Sequence, residues 1–241
     1  MIRSLLLLFA CWSLGFSAQA QTTLSEGDLV FTGHRSTFPD NFSFLFLTDI
    51  EANTVIFFTD NGWRAGGGFR LGEGTLIITF TEVVTCGTEI TVMVNSSNPI
   101  VSGATTTTDG TNPSLSIAGD QVFAYQGDAT SPTLIAAIHT NGDWDANAMD
   151  SNTSAQPPGL TNFVIFTPPV LDNAVYDCST TSGTMAELRA AINNGANWNT
   201  DDDPANLNFP SSCSFEVTEC GGSTPKTTYA PTPSISLVIK R

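Results

Sequence analysis

Short apolar runs, β-branched and aromatic, recur along this chain at near-regular spacing with turn residues between them. Each is too short for a core helix and reads as a strand. The first is Leu29-Val30-Phe31, ended by Gly33. In Phe42–Leu47 the phenylalanines at 42, 44 and 46 alternate with Ser43, Leu45 and Leu47, so both faces are largely apolar, as a strand inside a sandwich requires. Val55–Phe58, Thr75–Phe80, Glu89–Val94, Ser114–Ile117, Gln121–Tyr125, Leu134–His139 and Phe163–Phe166 continue the series. This rhythm predicts a mainly β domain of short antiparallel strands rather than βαβ units, and leaves a sandwich and a barrel both open. One short helix on the C-terminal side breaks the pattern. Thr184-Met185-Ala186-Glu187 fits a capping box, Leu188, Ala191 and Ile192 form an apolar face, and Asn194-Gly195 ends it.

The stretch Val55–Phe80 organises the rest. Between its two strands lie Asp60-Asn61-Gly62, Gly66-Gly67-Gly68 and Gly72-Glu73-Gly74, with Trp63 and Phe69 among the glycines. Glycines permit the turns. The two aromatic side chains are too apolar for water, so the loop is expected to fold back over the sheet.

Residues 1–20 read as a secretory signal peptide: Arg3, an apolar run around Leu5–Phe9, and the small-residue cleavage site Ala18-Gln19-Ala20. The apolar run is shorter than the ~20 residues a membrane span needs, so no membrane span is expected. With 8 Lys+Arg, 23 Asp+Glu and only Arg3 in the signal, the mature balance is 7 − 23 = −16. That acidity excludes nucleic acid as a partner and leaves calcium, mineral faces and basic proteins. Residues 21–220 are expected to form one β-rich domain, and 221–241 a Pro/Thr-rich tail. Cys86, Cys178, Cys213 and Cys220 remain after cleavage, an even number in an exported chain, and are expected in two disulfides. Three pairings are open; Cys213 and Cys220, which flank SFEVTE, are one possible small loop.

No catalytic centre is legible. The two histidines, His34 in a presumed loop and His139 at the end of an apolar run, have no nucleophile elbow to serve, and the glycine clusters fail dinucleotide and phosphate-loop spacing. The chain is expected not to be an enzyme. Calcium is the better candidate cofactor, because it takes loop oxygens. Asp60, Asn61 and Glu73 offer one such set, and Asp143, Asp145 and Asp150 another, in Asn141–Asp150. Asp201-Asp202-Asp203 are adjacent and cannot all converge on one ion. At each place Asp and Asn can equally be building turns. Asn41, Asn95 and Asn152 open N-glycosylation triplets.

GDLVFTG (27–33), NFSFLFL (41–47), IFFTDNGW (56–63), FRLGEG (69–74), GDQVFAYQG (119–127), GLTN (159–162) and DNAVY (172–176) occur in this order. The set resembles a family of secreted β-rich domains on bacterial exported proteins, similar also to an acidic skeletal organic matrix protein of stony corals. The resemblance covers roughly Glu26 to Trp198 and carries no catalytic residues. It implies a secreted, acidic extracellular matrix protein that meets calcium or calcium carbonate mineral and other matrix proteins during biomineralisation. The alternative is an adhesion or accessory binding domain of a bacterial exported protein, recognising glycan or protein, with Trp63, Trp144 and Trp198 as aromatic contacts. Trp198 is read first as core packing after the helix.

Overall fold

The computed structural model describes residues 21–94, 101, 103–166 and 171–220. The expected signal peptide, Asn95 and the tail lie outside the described residues. β1 (Leu29–Arg35), β2 (Asn41–Phe46), β5 (Glu89–Met93), β10 (Asn173–Tyr176) and β12 (Trp198–Thr200) form one sheet in the order β12-β10-β1-β2-β5. The other has the order β6-β4-β3-β7-β8-β9, from β3 (Val55–Thr59), β4 (Thr75–Phe80), β6 (Ala104–Thr108), β7 (Gln121–Asp128), β8 (Ser131–His139) and β9 (Phe163–Ile165). The two sheets pack face to face without closing, so the domain is a β-sandwich and not a barrel.

Phenylalanines fill the space between them. Phe44 of β2 stacks on Phe58 of β3 with ring centroids 4.8 Å apart, Phe42 lies 5.1 Å from the same ring, and Phe46 meets Phe80 edge-on at 5.3 Å. Asn162 ties the sheets along one side, its Nδ2 donating to Leu29 O and Ile135 O at 2.7 Å each.

Both outer faces are also covered, which is why the strands lack a clean polar alternation. Behind the five-stranded sheet lies the segment after the 3-10 turn Pro204–Asn206: Phe209 packs so closely on Gly33 that a Cβ there would sit 2.5 Å from its ring. Over the six-stranded sheet the glycine-rich loop folds back as expected. Trp63 and Phe69 pair across it, and Phe69 packs on Phe123 and Tyr125 at 5.5 and 5.2 Å.

α1 (Met185–Ile192) has both bonds of its capping box and buries Leu188 and Ile192. Trp198 follows it in the core, its Nε1 donating to Ile192 O at 2.7 Å. Beside α1, β11 (Ser182–Thr184) runs parallel to β13 (Glu216–Glu219), and β8 with β9 is a second parallel pair, so the strands are not all antiparallel.

Several expectations need correction. Ser114–Ile117 is not a strand, for a reason given below. His34 is not in a loop: β1 continues through a bulge at Gly33 and buries it completely. The disulfides are Cys86–Cys220 and Cys178–Cys213, not a Cys213–Cys220 loop. Those two cysteines flank the extended β13, and about seven extended residues span roughly 23 Å, far beyond disulfide reach. The bridges instead fasten the last strand to the turn after β4 and to the loop after β10.

Candidate functional site

The end of the six-stranded sheet gathers the acids of the organising loop. Asp60, directly after β3, is 1% exposed. Its Oδ1 accepts the amide of Gly74 at 2.8 Å and its Oδ2 the amide of Ser114 at 2.7 Å. Asn61 Oδ1 accepts the amide of Glu73 at 3.1 Å, and its Nδ2 donates to Thr59 Oγ1 at 2.8 Å. The loop therefore does close from Asp60-Asn61 onto Glu73, through backbone amides. Gly74 is required there, because a Cβ would lie 2.2 Å from the Asn112–Pro113 peptide.

Two further acids, outside the set expected from the sequence, complete the arrangement. Asp40 Oδ2 accepts the amide of Leu115 at 3.0 Å, and Asp120 Oδ2 the amide of Ser116 at 2.7 Å. Three consecutive amides, 114 to 116, thus each go to a different buried carboxylate. This is why the run Ser114–Ile117, extended and apolar in pattern, joins no sheet: its donors are satisfied by side chains instead of a neighbouring strand. The only sequence hint was that Asp40 and Asp120 directly precede strands.

Burial sets the electrostatics. It pushes the Asp60 carboxyl up to about 6 against the two amide bonds. Burial, and then the charge of Asp60, push Glu73 up to about 7, with Arg70 opposing. Asp120 is raised well above the usual range by burial, and Asp40 is raised by it too. Gln121 is wholly buried beside them; its Nε2 donates to Asp60 O and, at 2.8 Å, to Ser151 O. Gln121 Oε1, Glu73 Oε2 and Arg70 Nη1 have no hydrogen-bond partner among the described residues.

The second set is spread over an exposed loop. Asp143, Asp145 and Asp150 are exposed, and Asp145 Oδ1 caps the amide of Asn147 at 2.8 Å. The loop is anchored by Trp63, whose amide donates to Ser154 Oγ at 2.8 Å. Asp201 and Asp203 build a turn: Asp201 Oδ1 accepts the Asp203 amide at 2.8 Å, and Asp203 Oδ1 the Ala205 amide at 3.0 Å. Among the described residues no group of three or more His, Cys, Asp or Glu is placed to hold a metal ion. Both Asp60 oxygens already accept backbone amides.

Asn41 is buried at the start of β2 with Nδ2 donating to Pro39 O at 2.5 Å, whereas Asn152 is half-buried with Nδ2 3.3 Å from Ala118 O. Both histidines are enclosed. Burial holds His34 down at about 4, and lowers His139, whose Nδ1 lies 2.9 Å from Gly142 O. Of the three tryptophans proposed as contacts, Trp63 and Trp198 are buried and Trp144 is half-exposed.

Compared with known proteins, the chain matches no family model, no curated protein and no solved structure. No helix among the described residues is long and apolar enough to cross a membrane. The two disulfides are consistent with a secreted or extracellular protein.

Proposed function

We propose that this chain is a secreted, non-catalytic domain of an extracellular matrix, contacting calcium or carbonate mineral through exposed acids. The observation that carries this reading is a division of labour among the carboxylates. Asp40, Asp60 and Asp120 are buried on backbone amides and serve the fold, while Asp143, Asp145 and Asp150 stand exposed on one anchored loop. The mature balance of −16 (7 − 23) and the family resemblance support it. Binding to the folded state raises stability by mass action, so millimolar calcium should raise the melting temperature and the protein should be retained on calcite. Asp143→Asn/Asp145→Asn/Asp150→Asn should remove both effects. Retention and melting unchanged by calcium would overturn the mineral reading.

One observation favours the second reading, an adhesion domain for glycan or protein. Trp144 presents an aromatic surface at a recess lined by Ala65, Ala146, Ala155 and Gln156. In that role the acidic surface excludes anionic ligands and the disulfide-braced sandwich is a rigid scaffold.

A further inference from the structure

Trp144 lies flat on the outside of the six-stranded sheet. Phe123 pairs with Ala137 and Gln121 with His139, so Phe123 and His139 project from the same sheet face. The indole stacks on both, 4.9 Å from His139 at 19° and 5.9 Å from Phe123 at 27°. Phe163 meets it edge-on at 5.3 Å. One face of the ring is therefore braced by the sheet, and the opposite face points away from it. Trp144 also lines a recess of about 320 Å3 together with Ala65, Ala146, Ala155 and Gln156. The volume falls at the small end of ligand sites, which run from about 300 to 1,000 Å3.

We propose that this recess holds one neutral pyranose ring of a carbohydrate chain, laid with its C–H face on the outer face of Trp144. The inference rests on the adhesion reading and gives it a site and a ligand class. Several features select the occupant. A flat aromatic surface held by packing loses no side-chain freedom on binding and offers apolar area to the C–H face of a sugar. The lining residues Ala65, Ala146, Ala155 and Gln156 are small or uncharged, so a charged ligand would be desolvated there without a partner. Asp143 and Asp145 flank the tryptophan in sequence and are exposed, which disfavours uronic acids, sulfated sugars and nucleic acid. Gln156 Nε2 donates to Leu160 O at 2.9 Å, which holds the side chain in place and leaves its Oε1 as the acceptor for a ring hydroxyl.

The test is tryptophan fluorescence titration of the mature protein, disulfides intact, with cello-, manno- and chito-oligosaccharides, and with polygalacturonate as the anionic comparison. Trp144 is the most exposed of the three described tryptophans, and loss of the response in Trp144→Phe assigns it to that ring. A change with at least one neutral oligosaccharide and none with polygalacturonate is expected. By calorimetry, Trp144→Ala should weaken binding at least about tenfold. Because that change also removes packing, Ala146→Arg serves as the second variant: position 146 is exposed, and the long side chain covers the recess while leaving the indole in place. It should lose binding to the same extent and still melt cooperatively. Binding that persists in both variants would overturn the site while leaving a glycan-binding domain standing. No response to any neutral oligosaccharide would overturn the sugar ligand, and the calcite assay judges the matrix reading separately.

Discussion

The carboxylate of Asp60 accepts the amide of Ser114 at 2.7 Å across 54 residues of chain, and with its other oxygen it holds Gly74. One side chain thus closes the glycine-rich loop and pins the segment that follows β6. Asp60→Ala leaves two buried amides without acceptors. A net loss of about 1–3 kcal/mol is expected after relief of the buried carboxylate. Thermal melts should show the same loss in calcium and in chelator, and amide exchange should accelerate at Ser114 and Gly74. A loss seen only in calcium would place an ion on Asp60 instead.

The raised carboxyls make part of the stability fall as pH rises. Glu73 has a folded value of about 7 against an ordinary 4.5, so the folded state holds its proton more tightly. Its contribution is fully present below pH 4.5 and is lost as pH rises through 7. Glu73→Gln should therefore gain on the wild type between pH 4.5 and 8 in melting experiments, with the difference largest at the alkaline end. His34 acts in the opposite sense. Its folded value of about 4 lies below the ordinary 6.5, so its contribution is present above pH 6.5 and lost as pH falls through 4. His34→Gln should flatten the acid arm of the wild-type profile over that window. A parallel profile in either variant would contradict the assignment.

The two disulfides close loops with sequence separations of 134 and 35 residues. On the chain-entropy argument, each removes roughly 3–5 kcal/mol of unfolded-state freedom, the longer loop more. Replacing the Cys86–Cys220 pair by serines should lower the denaturant midpoint more than replacing Cys178–Cys213. Equal or reversed losses would mean that local packing of β13, rather than loop closure, sets the effect.

Glycines in the same loop should respond differently to alanine. At Gly74 the new Cβ meets backbone atoms of Asn112 and Pro113, which cannot move aside cheaply, so a loss of about 1–3 kcal/mol or more is expected. Gly66 has nothing within 4 Å and needs no left-handed backbone, so Gly66→Ala should be neutral or stabilise by up to about 1 kcal/mol. Denaturant melts of the two variants check the pair.

The position of the loop was legible because Trp63 and Phe69 must leave water, and the only apolar surface near them in sequence is the sheet they interrupt. The acids were half legible. Asp60, Asn61 and Glu73 do come together, but sequence spacing says nothing about whether an oxygen faces an ion or an amide. Asp40 and Asp120 were invisible as partners because the segment they hold lies far from at least one of them in sequence.

Local periodicity by itself determined most of the strands, the capped helix and the mainly β class, since side-chain alternation and capping act over a few residues. Tertiary structure alone decided which pattern became a strand: the 114–117 run had strand character, but its amides met carboxylates before they met a neighbouring strand, while the polar Ala104–Thr108 became one because β4 offered it an edge. It also decided the pairing of the cysteines and which tryptophan stays partly exposed. These depend on contacts between segments far apart in the chain, where burial and geometry, not neighbouring residues, set the outcome.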